Sequence, residues 1–192
     1  MPLNFKELVT RTRSYRRFNE ARKIDYDTLS ELIDLARLSA SGANRQPLKY
    51  LIYNTPEECA RVFPSAIWAG YLNDWPGPVE GERPSAYIII LGDTSITRTF
   101  GVDHGIAAQS IMLGANEKGL GGCMIASIRK EVLKKELNIP DKFEILLILA
   151  LGEPVEKVVI DDIRNDDVKY WRDEELTHHV PKRRLEDMIL KL

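Results

Sequence analysis

The chain has 192 residues, 44% of them hydrophobic and 29% charged, and its formal net charge is -2 at pH 7. This composition is typical of a globular protein with one substantial core, and it argues against disorder and against the basic surface of a nucleic-acid-binding domain. No apolar run is long enough to span a membrane, no signal peptide is evident and the two cysteines are far apart in sequence, so we expect a cytoplasmic protein without a disulfide framework.

Two helices are predicted in the N-terminal region. Asn4 and Glu7 have the spacing of a capping box for the first helix. The apolar residues expected to form its buried face are Phe5, Leu8 and Val9. The second helix begins at Asp25 or Thr28 and ends around residues 38–41. Its apolar face is formed by Leu29, Leu32, Ile33 and Ala36.

The next region combines a polar loop, a strand, a helix and a longer loop. Residues 39–47 are polar and precede a strand at residues 49–53. Thr55 caps the following helix, with Pro56 at its first position. Residues 67–84 form a long irregular loop, whose aromatic residues are Trp68, Tyr71 and Trp75. These rings either wall a binding pocket or pack on the core, and both interpretations stay open.

Strands and helices alternate in the second half of the chain, and the stretch between residues 152 and 183 is charged and predicted to be irregular. Strands are predicted at residues 87–92, 123–126 and 145–152, and helices at residues 103–118, 129–138 and 183–192. The helix at 103–118 is apolar on most sides, so it must be buried by its own fold or by a partner. The glycine run 119–122 lacks the spacing of a dinucleotide-binding motif, and it predicts a helix end and a tight turn.

Basic residues are concentrated at two places. Four arginines lie between residues 11 and 18, and residues 182–184 form a second cluster. A guanidinium beside a hydroxyl group suits a phosphate, so these clusters indicate a phosphorylated ligand. Two alternatives remain open at this point. One is surface charge without any ligand, and the other is nucleic-acid binding, which Tyr15 and Phe18 would serve but which the net charge disfavours.

Other catalytic and metal-binding signatures are missing from the sequence. There is no phosphate-binding G-x-x-x-x-G-K-[ST] motif and no G-x-S-x-G nucleophile motif. His178 and His179 are adjacent, would point apart on regular structure and have only His104 to join them, so no metal site is predicted. The acidic pairs at 161–162 and 166–167 are interpreted as solvated charge.

Four segments, taken in this order, resemble the nitroreductase family of FMN-dependent oxidoreductases. They are residues 13–18 (Arg-Ser-Tyr-Arg-Arg-Phe), 39–47, 117–123 (Glu-Lys-Gly-Leu-Gly-Gly-Cys) and 182–185 (Lys-Arg-Arg-Leu). The resemblance implies an α+β fold in which helices flank a mixed sheet. It implies one nitroreductase-like FMN-binding domain over residues 1–192, whose segment 153–192 is an extended tail that contributes to the cofactor site or the dimer. Two chains would form an intertwined homodimer with two FMN molecules at the interface, where the helix at 103–118 would lie.

The resemblance also implies roles for individual residues at the FMN site. The phosphate would be held by Arg13, Ser14, Lys182 and Arg184. Arg16 would lie near N1 and O2 of the flavin ring. The residues that would reach the cofactor from the neighbouring subunit are Ser41, Gly42 and Asn44. The residues whose main-chain groups would face N5 and O4 are Ile125, Ala126 and Ser127.

The same resemblance implies an activity. NAD(P)H would reduce FMN, which would then pass electrons to a nitroaromatic or quinone-like acceptor in a ping-pong cycle. The expected partners are a second copy of the chain and these small molecules, with neither nucleic acid nor membrane. Two alternatives stay open: a specialised flavin enzyme of the same fold, for reductive dehalogenation or flavin destruction, and an FMN-binding protein without catalysis.

Overall fold

The computed structural model describes residues 4–191 of the chain. Helices and strands alternate in the middle of the chain, whereas two helices come first and the last four strands follow one another without a helix between them. The helices are α1 (Phe5–Arg11), α2 (Tyr26–Arg37), α3 (Pro56–Val62), α4 (Asp103–Glu117), α5 (Lys130–Glu136) and α6 (Leu185–Met188). The strands are β1 (Leu48–Tyr53), β2 (Ala86–Asp93), β3 (Gly121–Ile125), β4 (Phe143–Gly152), β5 (Val158–Asp162), β6 (Trp171–Arg172) and β7 (His178–Lys182). This combination of helices and sheets confirms the predicted α+β class.

The larger sheet has four antiparallel strands in the order β1-β2-β4-β3. All eight residues of β2 are buried, as the continuous apolar run in its sequence predicts. Alternate residues of β2 enter two separate apolar clusters. Ile88 and Ile90 pack with α2 and α4, whereas Ile89 packs with α3 and α5. Helices therefore flank this sheet on both faces.

A smaller sheet lies in the C-terminal part of the chain, with the strand order β5-β7-β6. Strand β7 runs parallel to β5 and antiparallel to β6. We expected irregular structure between residues 152 and 183, and this expectation was wrong at residues 158–162, 171–172 and 178–182. Strands β6 and β7 are short and have no apolar run, but the β-branched residues 158–160 of β5 are typical of a strand and were not used. The mixed strand directions of the implied fold occur in this sheet, whereas the larger sheet is antiparallel.

Polar caps begin three of the helices at the predicted residues. Asn4 and Glu7 exchange two hydrogen bonds of 3.0 Å at the start of α1. Thr55 and Glu58 form the equivalent capping box at α3, where Pro56 is the first helical residue. The carboxylate of Asp25 accepts a main-chain hydrogen bond at the start of α2. Local hydrogen bonding therefore determines these helix starts.

The apolar faces of α1 and of the C-terminal segment were predicted incorrectly. Helix α1 buries none of its residues: Phe5 is 72% exposed, and Val9 is exposed as well. The C-terminal segment is helical only at residues 185–188 of the predicted 183–192, and residue 192 lies outside the described residues. Its Leu185 and Met188 are exposed. Apolar spacing identifies one face of a helix, but it does not say which molecule covers that face.

Helix α4 has a buried and an exposed face. Ala108, Ile111 and Ala115 are completely buried in the cluster with α2 and the larger sheet. Ile106 is 37% exposed, and Val102, which precedes the helix, is 71% exposed. The fold of a single chain therefore buries only part of this apolar helix. Across residues 4–191, no helix combines the length and the apolar composition that crossing a bilayer requires.

Residues 13–18 form a segment, called here the arginine segment, that runs beside the larger sheet. Ser14 makes a bridge to Gly122 in β3, and the main-chain N–H of Tyr15 donates to the carbonyl of Gly122 at 2.9 Å. Gly121 permits this approach, because a Cβ atom there would lie 2.6 Å from the ring of Tyr15. The glycine run therefore does more than end α4, since it lets the arginine segment pack against β3.

Candidate functional site

A cavity of about 370 Å³, called here the main cavity, lies between the arginine segment, α4, β3 and β7. Four of the predicted site residues line it: Arg13, Ser14, Arg16 and Lys182. Its other lining residues are Thr12, Gln109, Met112, Met124, Tyr170, His178 and Val180. This size and this combination of apolar and cationic walls are typical of small-molecule sites. The two basic clusters of the sequence therefore meet at one site.

Arg16 is the most buried cation of the main cavity, with 8% of its surface exposed. Its Nη1 donates to the carbonyl of Ser14 at 3.2 Å and lies 3.1 Å from Nε2 of His178. Because a guanidinium only donates, Nε2 of His178 is the acceptor of this hydrogen bond. The guanidinium also lies 4.7 Å from the centre of the Tyr170 ring. Three groups of the protein therefore orient the head of Arg16.

A buried carboxylate holds the main chain at Arg16. Glu156 accepts hydrogen bonds from the main-chain N–H groups of Arg16 and Arg17, the latter at 3.2 Å. Its other oxygen accepts from Arg172 at 2.9 Å, so a guanidinium compensates the buried charge. Arg172 in turn lies 4.3 Å from the centre of the Trp75 ring. The long aromatic loop is thereby connected to the arginine segment.

His178 is completely buried and lines the main cavity from β7. Burial and the neighbouring charges of Arg16, Arg172 and His179 lower the pKa of His178 to about 4. The imidazole is therefore neutral near pH 7. Its Nδ1 atom has no hydrogen-bond partner among the described residues.

His179 points away from the main cavity, as expected for adjacent residues on a strand. Its Nδ1 lies 2.6 Å from Asp161 on β5, and its Nε2 lies 3.2 Å from Asp173, which follows β6. The ring of Trp171 stacks on it with 4.0 Å between the ring centres. Asp161 was interpreted as solvated charge, but it forms part of this ionic contact between the strands of the smaller sheet.

The remaining basic residues divide into those at the main cavity and those outside it. One Nη2–H of Arg13 donates to a main-chain carbonyl of α1 at 2.6 Å, and its buried Nε has no partner among the described residues. Burial lowers the pKa of Arg13, and the charge is retained at neutral pH. Lys182 lines the cavity, whereas Arg184 is exposed at the start of α6. Arg17 forms a paired contact of 2.5 and 2.7 Å with Glu82.

A second cavity of about 140 Å³ shares Arg16, Met124 and Tyr170 with the main cavity. Residues 125–127, predicted to face the flavin ring, line it together with residues 67–70 of the aromatic loop. The three residues predicted to face N5 and O4 of the ring therefore lie next to the main cavity. Two aromatic rings of the loop lie in different surroundings. Trp68 is buried in the core and also lines the second cavity. Tyr71 packs against Tyr170, with 5.0 Å between the ring centres.

The loop of residues 41–44 lies outside the main cavity. The hydroxyl of Ser41 donates to Asp103 at 2.6 Å, and the main-chain N–H of Gly42 donates to the same carboxylate at 2.9 Å. Ala43 and Asn44 have positive φ angles of 51° and 53°. A buried aspartate at the start of α4 thus holds an unusual loop conformation. The single chain does not bring Ser41, Gly42 and Asn44 to Arg13 and Arg16, and their role towards a second subunit stays a prediction.

The two cavities offer cations, main-chain groups and apolar walls, but no activated thiol within residues 4–191. Cys123 lines the second cavity, and burial raises the pKa of its thiol. Cys59 is buried elsewhere, and burial raises its pKa to about 12. The arrangement therefore suits binding of an anionic ligand and does not suit covalent catalysis by a thiolate.

The model of the family described as "Nitroreductase family" matches residues 9–153 of the chain. The chain belongs to the nitroreductase family. The matched range includes the arginine segment, the larger sheet and α4. It ends before β5, so the smaller sheet with His178 and Lys182 lies beyond the family match.

Similar proteins agree with this membership of the nitroreductase family. The 4-nitrobenzoate reductase of Pseudomonas putida is 22% identical over 205 residues, which cover 84% of this chain and 90% of that protein. YodC of Bacillus subtilis (strain 168), named as a candidate NAD(P)H nitroreductase, is 21% identical over 183 residues, with coverage of 80% and 91%. A structure from Exiguobacterium sibiricum 255-15 in complex with FMN has a TM-score of 0.66 and 20% identity, and the match covers 80% of this chain and 89% of that one. The likeness to this solved structure shows that the chain has the nitroreductase fold.

Nitroreductase motifs led to the cations of the site but not to the groups that orient them. The groups missed by the sequence analysis are Glu156, Tyr170, Arg172 and His178. No motif contains them, because each acts through a contact between distant segments. The one available signal was alternation in β7, where His178, Val180 and Lys182 share the face towards the main cavity.

Proposed function

We propose that the protein is an FMN-dependent oxidoreductase that uses NAD(P)H to reduce electron-poor acceptors, such as nitroaromatics or quinones, by a ping-pong mechanism. The observation that carries this proposal is the convergence of Arg13, Ser14, Arg16 and Lys182 on one cavity with methionine in its walls. Membership of the nitroreductase family supports an oxidoreductase. The names of the relatives support NAD(P)H and a nitroaromatic substrate, and the complex with FMN supports the cofactor.

The residues of the main cavity fit the phosphate end of FMN. Arg13 and Lys182 provide positive charge, and Ser14 provides a hydroxyl donor. The buried Nε of Arg13 has an unused hydrogen, which an anionic oxygen would satisfy. Arg184 is proposed to join them, although in a single chain it is exposed and does not line the cavity.

The ring end of FMN is proposed to lie between the main and second cavities. There Arg16 would face N1 and O2, and the main-chain groups of residues 125–127 would face N5 and O4. Met112 and Met124 offer polarizable walls for a flat ring. When bound, FMN supplies the hydride and electron chemistry, and the protein supplies binding, orientation and electrostatics. The charge of Arg16 would favour the reduced, more negative ring.

A homodimer is part of the proposal. Ser41, Gly42 and Asn44 would reach the FMN bound by the partner subunit. Exposed apolar residues on one chain support a covering partner, namely Phe5, Val9, Val102, Ile106, Leu185 and Met188. We also propose a single domain over residues 1–192, whose segment 153–192 contributes to the cofactor site or the dimer. The proposed location is cytoplasmic.

Anaerobic mixing tests the proposed activity. The purified protein, loaded with FMN, is mixed with NADH or NADPH, and the flavin absorbance is followed by stopped flow. We expect loss of the yellow colour within seconds, and its return when a nitroaromatic or a quinone is added. A protein that stays yellow with both nicotinamides would be a binding protein instead of a reductase. A protein that takes up no FMN would contradict the proposal altogether.

A further inference from the structure

Arg16 has a fixed and a free part. Its Nη1 carries two hydrogens, and both have acceptors in the protein: the carbonyl of Ser14 at 3.2 Å and Nε2 of His178 at 3.1 Å. Nε and Nη2 donate to no oxygen or nitrogen of the described residues, although the buried thiol of Cys123 also interacts with the guanidinium. These are the groups of Arg16 left for a ligand in the cavity.

His178 is itself rigidly placed. The residue is completely buried, and its main-chain N–H donates to the carbonyl of Lys157 at 2.8 Å. Its ring centre lies 5.2 Å from that of Tyr170, whose ring also supports the guanidinium of Arg16. Strand pairing places His178 opposite Val158 of β5. An acceptor held by this many contacts restricts where Arg16 can point.

Only a neutral imidazole can accept the hydrogen bond from Arg16. The charged and titratable groups that affect His178 are Arg16 from the arginine segment, Arg172 from β6 and His179 from its own strand. The cationic groups among them oppose a further positive charge, and burial does the same. With Nε2 accepting, the single ring proton of neutral His178 is on Nδ1.

We propose that His178 is the positioning residue for Arg16: by accepting from Nη1 it holds the guanidinium over Tyr170 and leaves the Nε and Nη2 donors for the ligand of the main cavity. That the ligand is the flavin of FMN rests on the function proposed above. The hydrogen bond between the two residues does not rest on it, because it exists within the chain alone.

The first test needs no cofactor. Nitrogen NMR spectra of the apoprotein, labelled at histidine, report which ring nitrogen of each histidine carries the proton. Signals are assigned with the single variants His104→Gln, His178→Gln and His179→Gln. We expect His178 to be the neutral Nδ1–H tautomer from about pH 5.5 to 8. In Arg16→Leu this preference should weaken. A protonated Nε2 in the unmodified protein would overturn the proposal.

The second test compares His178→Gln, which keeps an oxygen acceptor, with His178→Leu, which has none. FMN binding to the apoprotein is measured by quenching of flavin fluorescence, and the midpoint potential of the bound flavin is measured by dye equilibration. We expect His178→Leu to bind FMN about tenfold more weakly, because Arg16 is no longer held in place and its charge-assisted contact with the flavin is lost. For the same reason the midpoint potential of the bound flavin should be lower. His178→Gln should restore most of both values.

A purely structural role of His178 would give a different pattern. The Tm of each variant without FMN measures how much the substitution destabilises the fold. Across the two variants, the change in Tm should not correlate with the change in flavin potential. Equal effects of the two substitutions on potential and binding would contradict positioning through an acceptor. If the unmodified protein binds no FMN, the proposed function is wrong. The NMR measurement of the His178 tautomer still tests whether His178 accepts a hydrogen bond from Arg16.

Discussion

The two sheets of the molecule are stabilised by different forces. In the larger sheet, Ile88, Ile89 and Ile90 are completely buried between two layers of helices. In the smaller sheet, most residues of β5 are at least partly exposed. Polar side-chain contacts accompany the pairing of its strands, namely those of His179 with Asp161 and Asp173 and the salt bridge of Arg172 with Glu156.

The main cavity lies where these two sheets meet. Met112 and Met124 belong to the part of the fold built around the larger sheet, and His178 and Lys182 belong to the smaller one. An apolar framework therefore supplies the shape of the site, and a polar sheet supplies groups that position charge. Substitutions in the two sheets should differ in size and in dependence on pH, and this difference can be measured.

The largest effect is expected in the larger sheet. Ile89→Ala removes completely buried side-chain atoms and should lower the free energy of unfolding by about 2–5 kcal/mol. The matched control is Ile160→Ala in β5, where the side chain is 43% exposed, and its cost should stay below about 1 kcal/mol. Urea unfolding measures both. An equal loss of unfolding free energy in the two variants would contradict the view that burial of apolar side chains stabilises the larger sheet more than the smaller one.

An intermediate effect is expected at the ionic contact that joins the smaller sheet to the arginine segment. Glu156→Gln keeps the size of the side chain but leaves the charge of Arg172 unpaired, and it should cost about 1–3 kcal/mol. The control Glu153→Gln removes the more exposed contact with Arg22 and should cost about 0–1 kcal/mol. Hydrogen exchange should locate the loss of protection in β5, β6 and β7. Loss spread evenly over the larger sheet would argue against a separate polar unit.

The smallest effect is a pH dependence at His179. Burial opposes its charge, but hydrogen bonds to Asp173 and Asp161 outweigh this and raise the pKa of His179 in the folded protein. Its stabilisation is therefore fully present below the unfolded pKa of about 6.5 and is lost as the pH rises through the folded value. The Tm should fall over this range by at most about 2–4 °C. In His179→Gln this part of the fall should vanish, and an unchanged pH profile would remove His179 as its source.

Sequence reasoning succeeded where the cause of a structure is local. Thr55 and Glu58 form the capping box that begins α3. The consecutive isoleucines of β2 predict a strand that is buried on both faces. The arginine segment was recognised because its residues lie side by side in the sequence. Four of the predicted site residues then met at one cavity.

It failed where the cause is a contact between distant segments. Nothing near Glu156 in the sequence shows that its carboxylate will hold the main chain of Arg16, and nothing near His178 shows that its ring will accept from the same arginine. The smaller sheet was missed only in part for this reason. Strands β6 and β7 have no apolar run of their own, whereas the β-branched residues 158–160 of β5 were a local signal that was not used.

The bridge between Ser14 and Gly122 has a consequence for the order in which the molecule assembles. The arginine segment can take its place once β3 has paired with β4, its neighbour in the larger sheet, whereas β7, which carries His178 and Lys182, is synthesised later. A growing chain can therefore place the arginine segment against the larger sheet before β7, on the opposite side of the main cavity, is synthesised. Contacts between segments distant in sequence generally form slowly, so we expect closure of the main cavity to be a late event in folding. We therefore expect a ligand that needs both sides of the main cavity to bind after the larger sheet has folded.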